Sequence, residues 1–243
     1  MTNIKKYYKL SLLILLFAFG LMFSFKTTKV ADAKVKITNK TYSAKEKVAK
    51  EGSNGKSSVT VLTYTYVRPK FSGNKKVKNI NKYFSNDYKS FTAKKNTLLS
   101  LAENNYKSSL LTSPYTLVGK WSKSYQSSSV VSYRFTCKST TGTTDVTTTV
   151  KSVTFNIKTG KQLYVDDFVK GKKKNVINKI LKAYNKYAKK HKNYTFWSTN
   201  KKTIKNTKIK DFPFYLSKKG AVYMAYSPNV LAPTAVGIIK FKV

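Results

Sequence analysis

The sequence predicts an α+β fold: a mostly antiparallel sheet with a long amphipathic helix packed on it, plus an N-terminal strand–helix unit. Three observations carry this expectation. Residues 58–68 alternate, with Val59, Val61, Thr63 and Thr65 against Thr60, Leu62, Tyr64 and Tyr66, the period-two pattern of a strand. Three more strand-like runs, 115–124, 130–138 and 146–156, follow in the centre, with Thr140-Thr141-Gly142 as a hairpin turn. Val176, Ile177, Ile180, Leu181, Tyr184, Tyr187 and Ala188 then recur at helical spacing through residues 172–191, with Lys filling most of the other face.

Taken in order, the chain opens with Lys5, Lys6 and Lys9 ahead of an apolar run over residues 10–25. That run is shorter than the roughly 20 residues a spanning helix needs. Ala31-Asp32-Ala33 gives the small-x-small pattern of a signal-peptidase site, so the expected mature start is Lys34. The protein is therefore expected to be secreted or cell-wall associated; a retained N-terminal membrane anchor is the alternative. Residues 34–56 are polar and Lys-rich without sustained periodicity. They read as a basic, mobile arm with a short strand near 35–42. Pro69 reads as the stop of the next strand. Val77, Ile80, Phe84, Tyr88 and Phe91 then step at three and four residues, as on an amphipathic helix, and the pattern loosens over 93–106. The aromatic stripe on this helix reads as core.

The Ser- and Thr-rich centre fits strands with one wet face, on which Trp121, Tyr125 and Tyr133 are the aromatics best placed to be open. Asp166-Asp167 read as a helix cap and dipole complement, with an acid pair for a cation or for catalysis as the alternative. Lys189, Lys190 and Lys192 suit the C-terminal end of the 172–191 helix. Phe212–Ser217 and Ala221–Tyr226 form a hairpin about Lys218-Lys219-Gly220. Pro228 and Pro233 bracket a loop, and Gly237 reopens a last strand over 238–243.

Several of these residues also carry a resemblance. The C-terminal run Phe214-Tyr215-Leu216, Gly220, Val222, Pro228, Leu231-Ala232-Pro233, Ala235 and Gly237 is similar to the signature of an extracytoplasmic domain-of-unknown-function family of Gram-positive bacteria. That domain is found in some secreted polysaccharide deacetylases and as the outer part of a membrane anti-sigma factor that senses lysozyme. The aromatic strand 152–157, the Thr159-Gly160-Lys161 turn and Leu163, Asp166, Asp167 and Phe168 resemble a second piece of it. Residues 67–73 followed by Asn79-Ile80-Asn81 resemble its small N-terminal companion domain. Asn229, Val230 and Thr234 stand where that family usually has Tyr, Glu and Tyr. The few residues ahead of the apolar run leave no room for a sigma-binding domain, so the anti-sigma role is not expected here. The implied organisation is a signal peptide (1–33), a basic arm (34–56), a companion unit (57–110) and a C-terminal α+β domain (111–243).

Composition narrows the function. Among 243 residues there are 48 Lys and Arg against 9 Asp and Glu, a net charge of +39. Losing residues 1–33 removes five basic residues and one acidic one, leaving +35. Only Arg68 and Arg134 are arginines, so the charge is carried by hydrated ammonium groups rather than by the guanidinium fork that reads bases. Such a surface attracts polyanions diffusely and at low salt. One cysteine, Cys137, excludes an internal disulfide and a Cys-based zinc site, and reads as a small buried hydrophobe. One histidine, His191, excludes a His-rich metal site, and at a helix end in a Lys run it reads as exposed. No phosphate-binding Gly loop or nucleic-acid motif is present, so no specific nucleic acid is expected as a partner.

The expected function is thus that of an exported, non-enzymatic envelope protein with no cofactor. It would bind an anionic wall polymer such as teichoic acid through its lysines, with Lys172, Lys173, Lys174, Lys189 and Lys190 as candidates. The alternative is a peptidoglycan, glycan or lysozyme recognition module using Trp121, Tyr125 or Trp197. An anionic membrane surface under the 172–191 helix, and a hydrolase using Asp166 and Asp167, remain open as further readings.

Overall fold

The computed structural model describes residues 35–50, 57–142 and 146–243. The apolar segment and the cleavage site at Ala31, Ala33 and Lys34 lie outside the described residues. Val35–Val243 forms one unit. The strands are β1 (Lys36–Ala49), β2 (Ser58–Ser72), β3 (Tyr115–Gln126), β4 (Val130–Thr140), β5 (Val146–Asn156), β6 (Gln162–Leu163), β7 (Phe214–Leu216), β8 (Val222–Tyr226) and β9 (Ile239–Lys242). The helices are α1 (Lys78–Lys107), α2 (Lys173–Lys190) and α3 (Asn200–Asn206), with short 3₁₀ turns between elements. The α+β class is as the sequence predicts.

There are two sheets rather than one. β1 to β6 lie in sequence order in a six-stranded sheet, antiparallel throughout except for the β2–β3 pair. Parallel pairing there requires a crossover, and α1 supplies it. The companion unit expected over 57–110 therefore has no sheet of its own: β2 is hydrogen-bonded to β3. The C-terminal strands form a separate antiparallel sheet, β7-β8-β9.

The arm expected over 34–56 is also corrected. Fourteen of its residues form β1, paired with β2 from Lys36↔Ser72 to Ala49↔Ser58. Its side chains are mostly exposed, and Ile37, Tyr42 and Val48 alone give it a partial apolar face. Backbone hydrogen bonds, not burial, define this edge strand, which is why periodicity did not reveal it. Its lysines also guard the open edge against pairing with another chain. Pro69, expected to stop β2, lies inside it opposite Asn39. β3 pairs with β2 only up to Val67, so the N–H that proline lacks is not needed on that side.

Two apolar cores result. The first lies between the six-stranded sheet and α1, whose thirty residues run well beyond the point where the pattern loosens. Ile80, Phe84 and Phe91 of the helix meet Tyr66, Leu117, Trp121, Tyr133 and Phe135 of the strands. Aromatic edges meet faces at several of these contacts, as between Phe84 and Trp121, whose centroids are 5.1 Å apart at 85°. Asn81 clamps the strand-to-helix corner: Phe71 N–H donates to its Oδ1 (3.0 Å) and its Nδ2 donates to the Phe71 carbonyl (2.8 Å). Cys137 is buried in this core, and burial pushes its thiol pKa up.

The second core lies between the small sheet and α2. Val176, Ile180, Leu181 and Tyr184 meet Phe214, Val222, Met224, Ile239 and Phe241. The small sheet's other face carries Tyr215 and Tyr223, stacked at 5.6 Å, with the Arg134 guanidinium of β4 over the Tyr215 ring at 4.9 Å. Ser132 and Ser227 stitch the sheets together: Leu216 N–H donates to Ser132 Oγ (3.1 Å), and Val150 N–H donates to Ser227 Oγ (2.9 Å). Gly160 marks another close approach. Its φ is +73°, and a Cβ there would lie 2.0 Å from the Lys76 carbonyl oxygen. The Thr159-Gly160-Lys161 turn is thereby held against the start of α1.

Candidate lysine-lined binding surface

The apolar stripe of α2 is committed to the second core, so the helix presents its lysines outward. Lys173, Lys174, Lys179, Lys182, Lys186, Lys189 and Lys190 are all exposed. Three grooves flank the helix. One, of about 920 Å³, runs between α2 and the edge of β9, and carries Lys170, Lys179, Lys182, Lys186, Lys190, Lys240 and Lys242. A second, of about 660 Å³, carries Lys182, Lys186, Lys189 and Lys190. A third, of about 410 Å³, carries Lys173, Lys174 and, from α3, Lys205. No Asp or Glu side chain lines any of the three. From Lys158 to Val243 there are 21 Lys against three Asp, and every one of those lysines is exposed. The positive potential of this half is therefore hardly offset from within.

The N-terminus of α2 adds to that potential. Lys172 occupies the cap position, Lys173 and Lys174 open the first turn, and no acidic residue stands there. Cations at the positive end of a helix dipole are unfavourable. Lys189 and Lys190 at the other end complement the dipole, as expected.

The sequence-predicted aromatic site does not assemble. Trp121 is 2 % exposed, inside the first core, and Tyr133 is equally buried; the reading that put them on an open face is corrected. Both belong to the sheet face that α1 covers; on β3 the more open positions are the neighbours Lys120 and Ser122, while on β4 the opposite face at Ser132 is itself buried under the small sheet. Tyr125 is half-buried against the second core, and its ring lies 3.4 Å from where a Cβ on Gly220 would be. Trp197 is 38 % exposed, and its backbone N–H donates to the Leu231 carbonyl. None of the three grooves along α2 is lined by any of these aromatics.

The remaining candidates have structural places. Asp167 Oδ2 accepts from the Tyr164 N–H at 2.6 Å, capping the short turn Val165–Asp167 rather than the long helix that follows. Both aspartates are exposed. His191 caps the end of α2, is half-buried, and stacks on Tyr187 at 4.0 Å with Nδ1 2.8 Å from the Tyr187 carbonyl; the exposed placement expected for it is corrected. Among the described residues no cluster of three His, Cys, Asp or Glu could hold a metal, and no helix is long and apolar enough to cross a membrane.

The most connected polar group was not singled out in the sequence. Asp87 of α1 is 8 % exposed. It accepts from Tyr66 Oη (2.6 Å) and Trp121 Nε1 (2.7 Å) and is ion-paired with Lys151 of β5. The Lys151 ammonium also lies over the Phe135 ring at 4.6 Å. Burial, and then the hydrogen bond to Asp87, pushes the Tyr66 hydroxyl well above its ordinary pKa. The signal was present: Asp87 falls in register with Ile80, Phe84 and Phe91, an acid in the middle of an apolar stripe. Asn200, also buried, joins the C-terminal loop to α2, its Nδ2 donating to Tyr184 Oη (2.6 Å) and the Leu231 carbonyl (2.7 Å). The Leu231-Ala232 pair of the C-terminal signature is thus a buried anchor. Asn229, Val230 and Thr234, where the sequence departs from that signature, are exposed.

With this geometry in view, two solved structures are alike. A DUF3298-family protein from Bacteroides fragilis superposes with a TM-score of 0.51 at 16 % identity, over 87 % of this chain and 91 % of that one. A DUF3298-family protein from Pseudomonas aeruginosa gives 0.52 at 14 % identity, over 86 % and 90 %. The chain shares the fold of DUF3298-family proteins. No protein-family model matches the sequence, and no curated protein matches it significantly. The likeness covers most of the chain and supports the fold of a domain of unknown function.

Proposed function

We propose that the protein is an exported, non-enzymatic component of a Gram-positive-type envelope that binds anionic wall polymers, of the teichoic-acid kind, through the lysine surface around α2. The observation that carries this reading is the set of three grooves along one helix, all lined by lysine and none by an acidic side chain. A flexible polyphosphate can follow such a surface without a pocket shaped to one sugar. Its affinity comes mainly from release of condensed counterions. With about six phosphates engaged and a slope of roughly 0.7 per phosphate, raising salt from about 50 to 200 mM weakens binding roughly 300-fold.

The glycan-recognition alternative keeps Trp197 alone of its three aromatics, and stacking of a sugar by one ring is a poor basis for specificity. Lysozyme recognition sets a cationic partner against a cationic surface. The test is binding of the protein to purified walls, with and without their teichoic acid, across a salt series. Binding lost on stripping and falling steeply with salt supports the polymer reading. Binding indifferent to both sinks it and turns attention to Trp197.

A further inference from the structure

The three grooves differ in their floors. The two smaller ones expose essentially one apolar side chain each, Ile177 and Leu181. The 920 Å³ groove has a broad one, with Phe168, Ala183, Tyr187, Val222 and Phe241 below its lysine rim. A polyphosphate gains nothing from that floor. We infer that this groove binds an anionic lipid, with acyl chain along the floor and phosphate headgroup among Lys182, Lys186, Lys190, Lys240 and Lys242. The inference rests on the lysine surface being an anion-binding one.

The floor is preformed. Phe168 packs on Phe214 at 5.7 Å, and Tyr187 lies against Phe241 at 5.9 Å and on His191 at 4.0 Å. Little has to be reordered to admit a chain. The volume lies in the range of small-ligand sites. The rim is of one charge, and Lys stems can lie along the apolar walls while the ammonium groups meet a phosphate in water. The reading of α2 as a helix lying in a membrane is set aside by the same geometry, because its apolar stripe of Val176, Ile180 and Tyr184 is buried in the core. A single lipid can reach the groove where a bilayer cannot reach the stripe.

The test is calorimetric titration of the full chain with short-chain phosphatidylglycerols below their micelle concentration, beside inorganic polyphosphate. With the diacyl chains lengthened from butanoyl to hexanoyl, affinity should rise at least twofold per methylene, since a fully buried methylene gives about fourfold. Phosphatidylcholine of equal chain length should bind at least tenfold more weakly. A183W, which fills the groove, should lower lipid affinity at least tenfold and leave polyphosphate affinity unchanged. K182E/K186E should lower both. Chain-length independence in the unaltered protein overturns the inference without any variant needing to fold. Failure of polyphosphate to bind as well would instead overturn the anion-binding reading on which it rests.

Discussion

Trp121 donates its indole N–H to the carboxylate of Asp87 across 2.7 Å, joining the middle of the large sheet to the middle of α1. Tyr66 donates to the same oxygen, and Lys151 closes the cluster from β5. One buried carboxylate thus ties together three strands and the helix that covers them. A carboxylate taken from water needs such partners to be tolerated in a core.

Replacing Asp87 with Ala should therefore be costly. It leaves the Tyr66 O–H buried without an acceptor and the Trp121 N–H with only the longer bond to Tyr66 Oη at 3.2 Å, a loss of about 2–3 kcal/mol. Lys151→Ala should cost less, because the Lys151 side chain is 40 % exposed and water screens it, while Asp87 keeps both of its buried hydrogen bonds. Urea denaturation of the two variants should separate them by midpoint. Equal destabilisation would show that the ion pair, rather than the buried hydrogen bonds, holds the cluster.

The same contact explains what the sequence could and could not show. β2 to β5, the α2 stripe and the C-terminal hairpin were legible, since each has a strong period and a recognisable turn. β1 was not, because an edge strand held by backbone pairing needs few apolar side chains. The division into two sheets was not legible either: local alternation says nothing about which strand pairs with which. Trp121 was misplaced for a related reason. Alternation distinguishes two faces of β3 and does not say which one α1 covers. Asp87 was visible only as an acid out of place in a helix stripe. The lysine candidates on α2 could be read as a face, and needed the fold to show that Lys205, Lys240 and Lys242 join it.

Gly160 and Gly237 make a controlled comparison. Both have positive φ, +73° and +76°. A Cβ on Gly160 meets the Lys76 carbonyl at 2.0 Å, while a Cβ on Gly237 meets nothing within 4 Å. Gly237 sits at φ +76° and ψ −150°, a region essentially reserved for glycine, so Gly237→Ala should cost about 1–3 kcal/mol from backbone strain alone. Gly160→Ala should cost clearly more, since backbone must move. Thermal denaturation of the pair checks this; similar values would mean that the turn and the start of α1 are not in firm contact.

The lysines at the start of α2 should trade stability against binding. Lys173→Glu and Lys174→Glu each replace a cation with an anion at the positive end of the helix dipole. Each should raise stability by about 0.3–1 kcal/mol at low salt. Each should also weaken polyanion binding, since it places a negative charge in a groove that has none. A loss of stability together with unchanged binding would contradict the role given to these residues.

Tyrosine ionisation offers a pH-dependent check. Burial raises the pKa values of Tyr66, Tyr83, Tyr133 and Tyr226 well above their ordinary value near 10. Above that pH the unfolded chain releases these protons and the folded one keeps them. Their contribution to stability is therefore constant below about pH 10 and falls as pH rises further. Ultraviolet titration should show these four buried tyrosines ionising only as the protein unfolds. A single transition near 10, with the fold intact, would contradict the packing of both cores.

The most direct test of the account is retention of the protein on purified cell walls as salt is raised from about 50 to 200 mM, with walls that carry teichoic acid and walls stripped of it. The account predicts retention on the first and not on the second, with a fall of roughly two to three orders of magnitude in affinity over that range. Equal retention on both walls, or retention unchanged by salt, would contradict binding through the lysine surface of α2.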